Sequence, residues 1–403
     1  MAGTTPGTPR VLRAMNDRAA LELLLAHGPL SRTRIGRLTG LSKPTASQLL
    51  ARLEDAGLVV VTGTDGGRPG PSAQLYALNA GAAHVAALDV TPERILAAVA
   101  DLTGARTGAY ELPAGRGGGA VERVGAALDG ALGAAGLARS DVHRLVIGTP
   151  GAFDPHTGRL RYAGHLPGWH SPDLLDELAA ALPMPVEYEN DVNLVAVAEQ
   201  RLGAARGHAD FVLLWNQEGL GAALVLGGRL HRGWTGGAGE VGFLPVPGTP
   251  LVRRVARLGS GGYQELAGTQ ALPGLARELG VPDPPPAAPG ADPHLGPALA
   301  LLREAAGATR GPYRELLGRY ATALATGLAS VVAVLDPEVV VLSGAALTAG
   351  GEPLRALVEA ELADLAAARP RLVTGTVHEH PVLSGALESA LAATREEVFD
   401  TSR

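Results

Sequence analysis

Hydrophobic positions give the chain two textures. From Arg10 to His27 the apolar residues Val11, Leu12, Met15, Ala19, Leu21, Leu23 and Leu24 keep a helical spacing, and Gly28-Pro29 ends the helix. Ser31 is placed to cap a short second helix that turns Ile35 and Leu38 inward, and Thr39-Gly40 breaks it. Ser42 caps a third helix with Pro44 in its first turn, where a missing N–H costs little. Leu49, Leu50 and Leu53 supply that helix's buried face, and Gly57 closes it. Leu58–Thr62 and Gln74–Leu78 read as two strands of a hairpin joined by the turn-rich run GTDGGRPGP. Beyond Ala80, short apolar runs predict buried strands at Val85–Asp89, Ile95–Asp101, Leu145–Gly148, Val186–Tyr188, Phe211–Trp215, Ala222–Leu226 and Val339–Leu342. Alanine-rich stretches between them predict helices at Ala120–Leu137, Asp173–Leu182, Leu194–Leu202, Tyr313–Leu335 and Pro353–Ala368. The expected organisation is a small head, residues 1–79, and an α/β body, residues 80–403. Residues 281–297 hold seven prolines in seventeen positions, which argues against regular structure and predicts a mobile loop.

Composition narrows the classes. With 46% apolar and 18% charged residues in 403, the chain can bury sizeable cores and is not disordered as a whole. There is no cysteine, which excludes disulfides, thiolate metal sites and cysteine nucleophiles. The pattern shows neither an apolar run of about 18 residues nor a signal peptide's apolar core, so a soluble, cytoplasmic protein with no membrane partner is expected.

Charge separates head from body. Residues 1–79 carry nine basic and five acidic side chains, a net +4, while the remainder carries a net −10. A basic head on an acidic body points to a head that meets a polyanion. Two short helices joined at a glycine turn form a helix-turn-helix pattern, and the hairpin after them is a wing. The second of the two helices is then the recognition helix, whose first residues enter the major groove of double-stranded DNA. Ser42, Lys43, Thr45, Ser47, Gln48 and Arg52 are suited to phosphates and base edges, and Arg68 at the wing tip to a minor groove. The alternative is a small helical domain whose polar face is merely solvated. Leu41–Ser47 also resembles the LS-(K/R)-P-T-x-S recognition helix of winged-helix repressor heads.

The body resembles the ROK family of repressors and sugar kinases. The resemblance rests on GTPGAFDPHTG (148–158), ENDVNLVAVAE (189–199), GLGAALVLGGRLHRGWTGGAGEVG (219–242) and LDPEVVVLSG (335–344). It implies a two-lobed, actin-like fold behind the winged helix-turn-helix. It implies a sugar site at Asn190, Asp191, Glu240 and Glu265, with Asp191 standing where family kinases keep their catalytic base. Two departures matter. The family's D-x-G-G-T phosphate loop reads Asp89-Val90-Thr91-Pro92-Glu93: Pro92 lacks an N–H, and Glu93 sets negative charge where phosphates would lie. The resemblance therefore implies no catalytic residue and no phosphoryl transfer. The family's zinc histidine is Phe243, and its three zinc cysteines are Ala256, Leu258 and Tyr263. Four missing ligands leave no metal site and no cofactor, with Phe243, Leu258 and Tyr263 expected to fill the space and Phe243, as an effector-binding residue, and Trp169 to offer apolar or stacking surface. For Glu240 and Glu265, ion pairs with Arg253 or Arg254 are the alternative to ligand contact.

Three readings follow. In the first, a sugar-responsive regulator binds a palindromic operator as a homodimer or homotetramer and represses carbohydrate-related genes, its operator binding modulated by a sugar-like effector. In the second, the body is a sugar kinase with a regulatory head. In the third, the body only dimerises a ligand-independent DNA-binding protein.

Overall fold

The computed structural model describes residues 9–65, 73–115, 118–154, 156, 159–161, 169, 171, 173–253, 261–287 and 292–401. The chain opens with α1 (Pro9–His27), β1 (Leu30–Ser31), α2 (Arg32–Thr39), α3 (Lys43–Asp55), β2 (Val59–Asp65) and β3 (Ala73–Leu78). Both expected caps form: Ser31 Oγ accepts the Arg34 N–H at 3.4 Å, and Ser42 Oγ accepts that of Thr45 at 3.4 Å. Gly40 ends α2 at φ 72°, a conformation glycine adopts without strain. β2 and β3 pair antiparallel as the wing, and the two-residue β1 adds a third strand opposite Tyr76 and Leu75, too short for any pattern to signal. Leu38 corrects the sequence reading, being 40% exposed. The inner face of α2 is centred on Ile35, Gly36 and Thr39, because Gly36 lets α2 approach Leu41 and Ala46 closely. On a 3.6-residue turn that centre leaves Leu38 about 100° away.

The body continues with β4 (His84–Val90), β5 (Arg94–Asp101), β6 (Arg106–Pro113), α4 (Ala120–Ala135), β7 (Val142–Thr149), β8 (Ala152–Asp154) and β9 (Arg159–Arg161). Next come α5 (Leu174–Ala181), β10 (Val186–Asn190), α6 (Asp191–Arg201), β11 (Phe211–Asn216), β12 (Leu220–Leu226) and β13 (Arg229–Leu230). The rest comprises α7 (Gly262–Ala267), α8 (Leu272–Glu278), α9 (Leu295–Gly307), α10 (Pro312–Leu335), β14 (Val339–Ser343), α11 (Ala345–Leu365), β15 (Arg371–Thr374) and α12 (Pro381–Val398). One plan is used twice. An antiparallel meander, β4-β5-β6, is extended by β7 and β10; another, β11-β12-β13, is extended by the parallel strands β14 and β15. This duplicated α/β sheet is the architecture expected of an actin-like body.

Packing groups the chain into two compact units, the first made of Met1–Ile147, Leu174–Glu187 and Ala386–Arg403, the second of Gly148–Asp173 and Tyr188–Gly385. In the first unit the core of the winged helix contains Leu21, Leu24, Ile35, Leu49, Leu50 and Leu53, together with Ala83, Leu102 and Phe399 from far along the chain. In the second, α10 carries Leu316, Leu317, Tyr320, Leu324 and Leu328 into the core, each fully buried. By length and composition α10 is the one described helix able to cross a bilayer; its apolar face is spent on this core.

Several boundaries differ from the sequence reading. α6 starts at Asp191, three residues early, because Asn190 Oδ1 caps it by accepting the Asn193 N–H at 3.1 Å. The helix expected from Pro353 begins at Ala345 and is broken at Gly351, where φ is 55°. Residues 281–287 have no regular structure, but Leu295–Pro297 form the first turn of α9, correcting the expected limit of the proline-rich loop. A first-turn proline lacks only an N–H that would have no helical partner anyway. β6 was missed because it is an edge strand with most side chains exposed.

Candidate functional site

On the head, the start of α3 presents its side chains to solvent: Ser42, Lys43, Thr45 and Gln48 are exposed and Ser47 half-buried. The hydroxyls also serve the helix, Ser42 and Thr45 sharing a 2.8 Å hydrogen bond and Ser47 donating to the Lys43 carbonyl at 2.9 Å. Lys43 and Gln48 reach outward from this scaffold. Arg52, one turn further on, donates to Asp17 of α1 at 2.6 Å, and the Asp17 side chain is 5% exposed. Sequence reasoning missed this partner. Arg34 and Arg37 on α2 are exposed as well and were not singled out. Arg68 lies outside the described residues.

In the second unit the segments that carry the candidate residues Asp191, Glu240 and Glu265 meet on β12. Val192, at the start of α6, lies against Gly221, where a Cβ would come within 3.3 Å of its side chain. The Ala222 N–H donates to the Gly239 carbonyl at 2.9 Å, which brings the turn bearing Glu240 onto the same strand. The Leu220 N–H donates to Gln264 Oε1 at 2.7 Å, docking the helix that carries Glu265. Gly242 and Gly262 permit this approach, since a Cβ on Gly242 would lie 2.9 Å from the Leu220 carbonyl oxygen and one on Gly262 the same distance from that of Leu244. Asp191, Glu240 and Glu265 are all half-buried. Burial pushes the Glu240 carboxyl above its ordinary value. Arg253 is exposed and forms no ion pair with Glu240 or Glu265 among the described residues, and Arg254 lies outside them.

Asn190 does local work with both ends of its amide, capping α6 through Oδ1 and donating from Nδ2 to the Gly151 carbonyl at 3.0 Å. Behind it sits a charged corner that sequence reasoning passed over. The buried Glu189 accepts from the Asn190 N–H at 3.0 Å, from Asn193 Nδ2 at 2.8 Å and from Arg232 Nε at 2.6 Å. Its one signal was its place at the head of ENDVN. Phe243 is half-buried and Tyr263 fully buried, its hydroxyl donating to the Leu324 carbonyl at 2.5 Å. Ala256 and Leu258 lie outside the described residues. Trp169, expected to offer a stacking surface, is only 2% exposed and packs edge-on to Tyr188 at 6.3 Å, so it is core.

In the first unit, Asp89 is buried near the end of β4. The turn that follows is closed: the Thr91 N–H donates to the Arg94 carbonyl at 2.9 Å, and the Arg94 N–H to Thr91 Oγ1 at 3.3 Å. Pro92 has no N–H to offer.

Similarity to known proteins agrees with this layout. The ROK family profile matches residues 122–393 and the MarR family profile residues 8–68. The chain is 35% identical over 217 residues to the bifunctional enzyme NanE/NanK of Brucella suis, covering 54% of this chain and 36% of that one. It is 25% identical over 244 residues to a putative xylose repressor of Caldicellulosiruptor, covering 60% and 61%. The chain thus spans less than two thirds of the length of such curated relatives. A solved structure of a ROK family transcriptional regulator, described as a homolog of E. coli MLC protein, shares the fold at a TM-score of 0.73 and 19% identity, over 96% of this chain and 99% of the other. Two profiles on one chain, a duplicated sheet and a winged head identify it as a member of the ROK family carrying a MarR-type winged-helix head.

Proposed function

We propose that this protein is a transcriptional repressor of carbohydrate-related genes whose operator binding is modulated by a sugar or sugar derivative. Residues 1–79 serve as the DNA-binding head and residues 80–403 as the effector-binding and oligomerisation body. Ser42, Lys43, Thr45, Ser47 and Gln48 meet a palindromic operator in the cytoplasm, with Arg52 and Arg68 as further contacts. The body assembles as a homodimer or homotetramer. Asn190, Asp191, Glu240 and Glu265 hydrogen-bond the effector's hydroxyls and Phe243 supplies apolar surface. The meeting on β12 of the segments that carry Asp191, Glu240 and Glu265 carries this reading, because carboxylates are the acceptors that a ligand's hydroxyl groups need.

The kinase reading draws on the 35% identity to a bifunctional enzyme. Against it stands the turn after Asp89, where the N–H groups of Thr91 and Arg94 are consumed internally and Pro92 has none. A phosphate cradle needs free backbone donors at that place.

The test has two arms. A melting-shift screen of sugars, sugar phosphates and amino sugars should find a ligand, worth about 2.7 kcal/mol at a hundredfold excess over Kd, that also changes operator affinity. A coupled ADP-release assay with the same sugars should stay silent. Turnover that Asp191→Ala abolishes would restore the kinase reading.

A further inference from the structure

We propose that Trp234 and His156 form a second, stacking subsite on the rim of the sugar site, so that the effector is an oligosaccharide or other glycoside and not a free monosaccharide. The proposal rests on the sugar-site reading above. Trp234 is 79% exposed, more than any other aromatic side chain of the described residues. Tryptophan is highly buried on average, and a ring held this far into solvent beside a second ring offers a free stacking face.

Trp234 is not on a slack segment. Its ring lies against the imidazole of His156, with centroids 4.1 Å apart and planes tilted by 33°. The loop that carries it is fixed at both ends. The Ala238 N–H donates to the Arg232 carbonyl at 3.1 Å. At Gly236 a Cβ would fall 2.0 Å from the Phe153 carbonyl oxygen, and at Gly239 2.0 Å from that of Ala222. A platform held this firmly loses little entropy when it captures a ligand.

Both rings hang from segments that lead to the sugar site. Arg232, two residues before Trp234, holds Glu189 at 2.6 Å beside Asn190, and Glu240 ends the same glycine loop. His156 follows β8, and Gly151, just before β8, accepts from Asn190 Nδ2. Segments that carry polar groups able to bind a ring by its edge thus also carry an aromatic pair able to bind one by its face. A saccharide ring offers hydroxyls at its edge and C–H groups on its face, and a two-ring glycoside uses both.

Calorimetry on the full chain tests this with glucose, xylose and N-acetylglucosamine, each beside its disaccharide: cellobiose, xylobiose and chitobiose. At least one disaccharide should bind about tenfold more tightly than its monosaccharide. Trp234→Ala should erase that advantage and leave the monosaccharide Kd unchanged, while Trp234→Phe keeps most of it. Because Trp234 is exposed, thermal unfolding should be the same in all three proteins. Disaccharides no tighter than monosaccharides, or a Trp234→Ala protein that still prefers them, overturn the subsite and leave the sugar site standing. Six sugars that fail to bind a normally folded protein overturn both.

Discussion

Arg52 Nη2 lies 2.6 Å from Asp17 Oδ1, and the other oxygen of that carboxylate accepts from Thr401 Oγ1 at 3.0 Å. One buried side chain on α1, Asp17, therefore ties α3 to Thr401, which lies 384 positions from Asp17 in sequence. The arginine is 41% exposed and the aspartate 5%, so the carboxylate bears most of the desolvation and depends on its two partners.

This relationship separates two kinds of basic residue on α3. Asp17→Ala should cost about 1–3 kcal/mol of stability and weaken operator binding by loosening α3. Lys43→Ala should leave thermal unfolding unchanged and lower the slope of log affinity against log salt by about 0.9. Salt titrations of operator binding beside melting curves check both. Equal salt slopes for Lys43→Ala and the parent would remove Lys43 from the phosphate contacts.

Phe399 is 2% exposed within the winged-helix core. Phe399→Ala should destabilise that core by about 3–5 kcal/mol. Hydrogen exchange should then show lost protection in α1 and α3, although the substitution lies beyond α12. Unchanged exchange in these helices would show that Phe399 is dispensable to the head.

Glu240 predicts a pH dependence. Burial raises its carboxyl pKa, so the folded chain holds the proton to higher pH than the unfolded chain does. Stability from this group is complete below the ordinary value, about 4.3, and is lost as pH rises through the raised one. Glu240→Gln removes the ionisation. In urea unfolding, the variant should match the parent below about pH 4.3 and gain on it as pH rises from there through the raised value. Parallel curves across that range would contradict the assignment.

Gly239 tests the geometry of the site directly. Its φ is 96°, and a Cβ there would meet the Ala222 carbonyl oxygen at 2.0 Å. Gly239→Ala should push the Glu240 turn off β12 and abolish the melting shift given by any effector, while operator binding without effector persists. A retained shift would mean that the turn can move without harm to the site.

Much of the head was legible because its signals are local. Ser31 and Ser42 cap helices within three residues of themselves, and Gly40 breaks α2 where it stands. The partner of Arg52 was not legible, because nothing near position 52 in sequence hints at Asp17. In the body, apolar runs marked the buried strands, but the edge strand β6 has no such run. The polar site was half legible. ENDVN drew attention to Asn190 and Asp191, yet not to Glu189, whose role depends on Arg232 arriving from beyond β13. Two asparagines of ENDVN are the same residue type, yet Asn190 caps α6 while the Asn193 side chain turns to Glu189, a difference that residue type alone does not signal.

The shared core of the winged helix also sets an order of events during synthesis. Leu21 and Leu24 leave the ribosome early, and Phe399, which packs into the same cluster, leaves almost a whole chain later. At roughly 5–20 residues per second that interval is about 20–80 s. Throughout it the nascent head lacks an aromatic side chain of its interior and the Thr401 hydroxyl that steadies Asp17. The core of the winged helix is therefore completed only after residues far downstream in the body have been made.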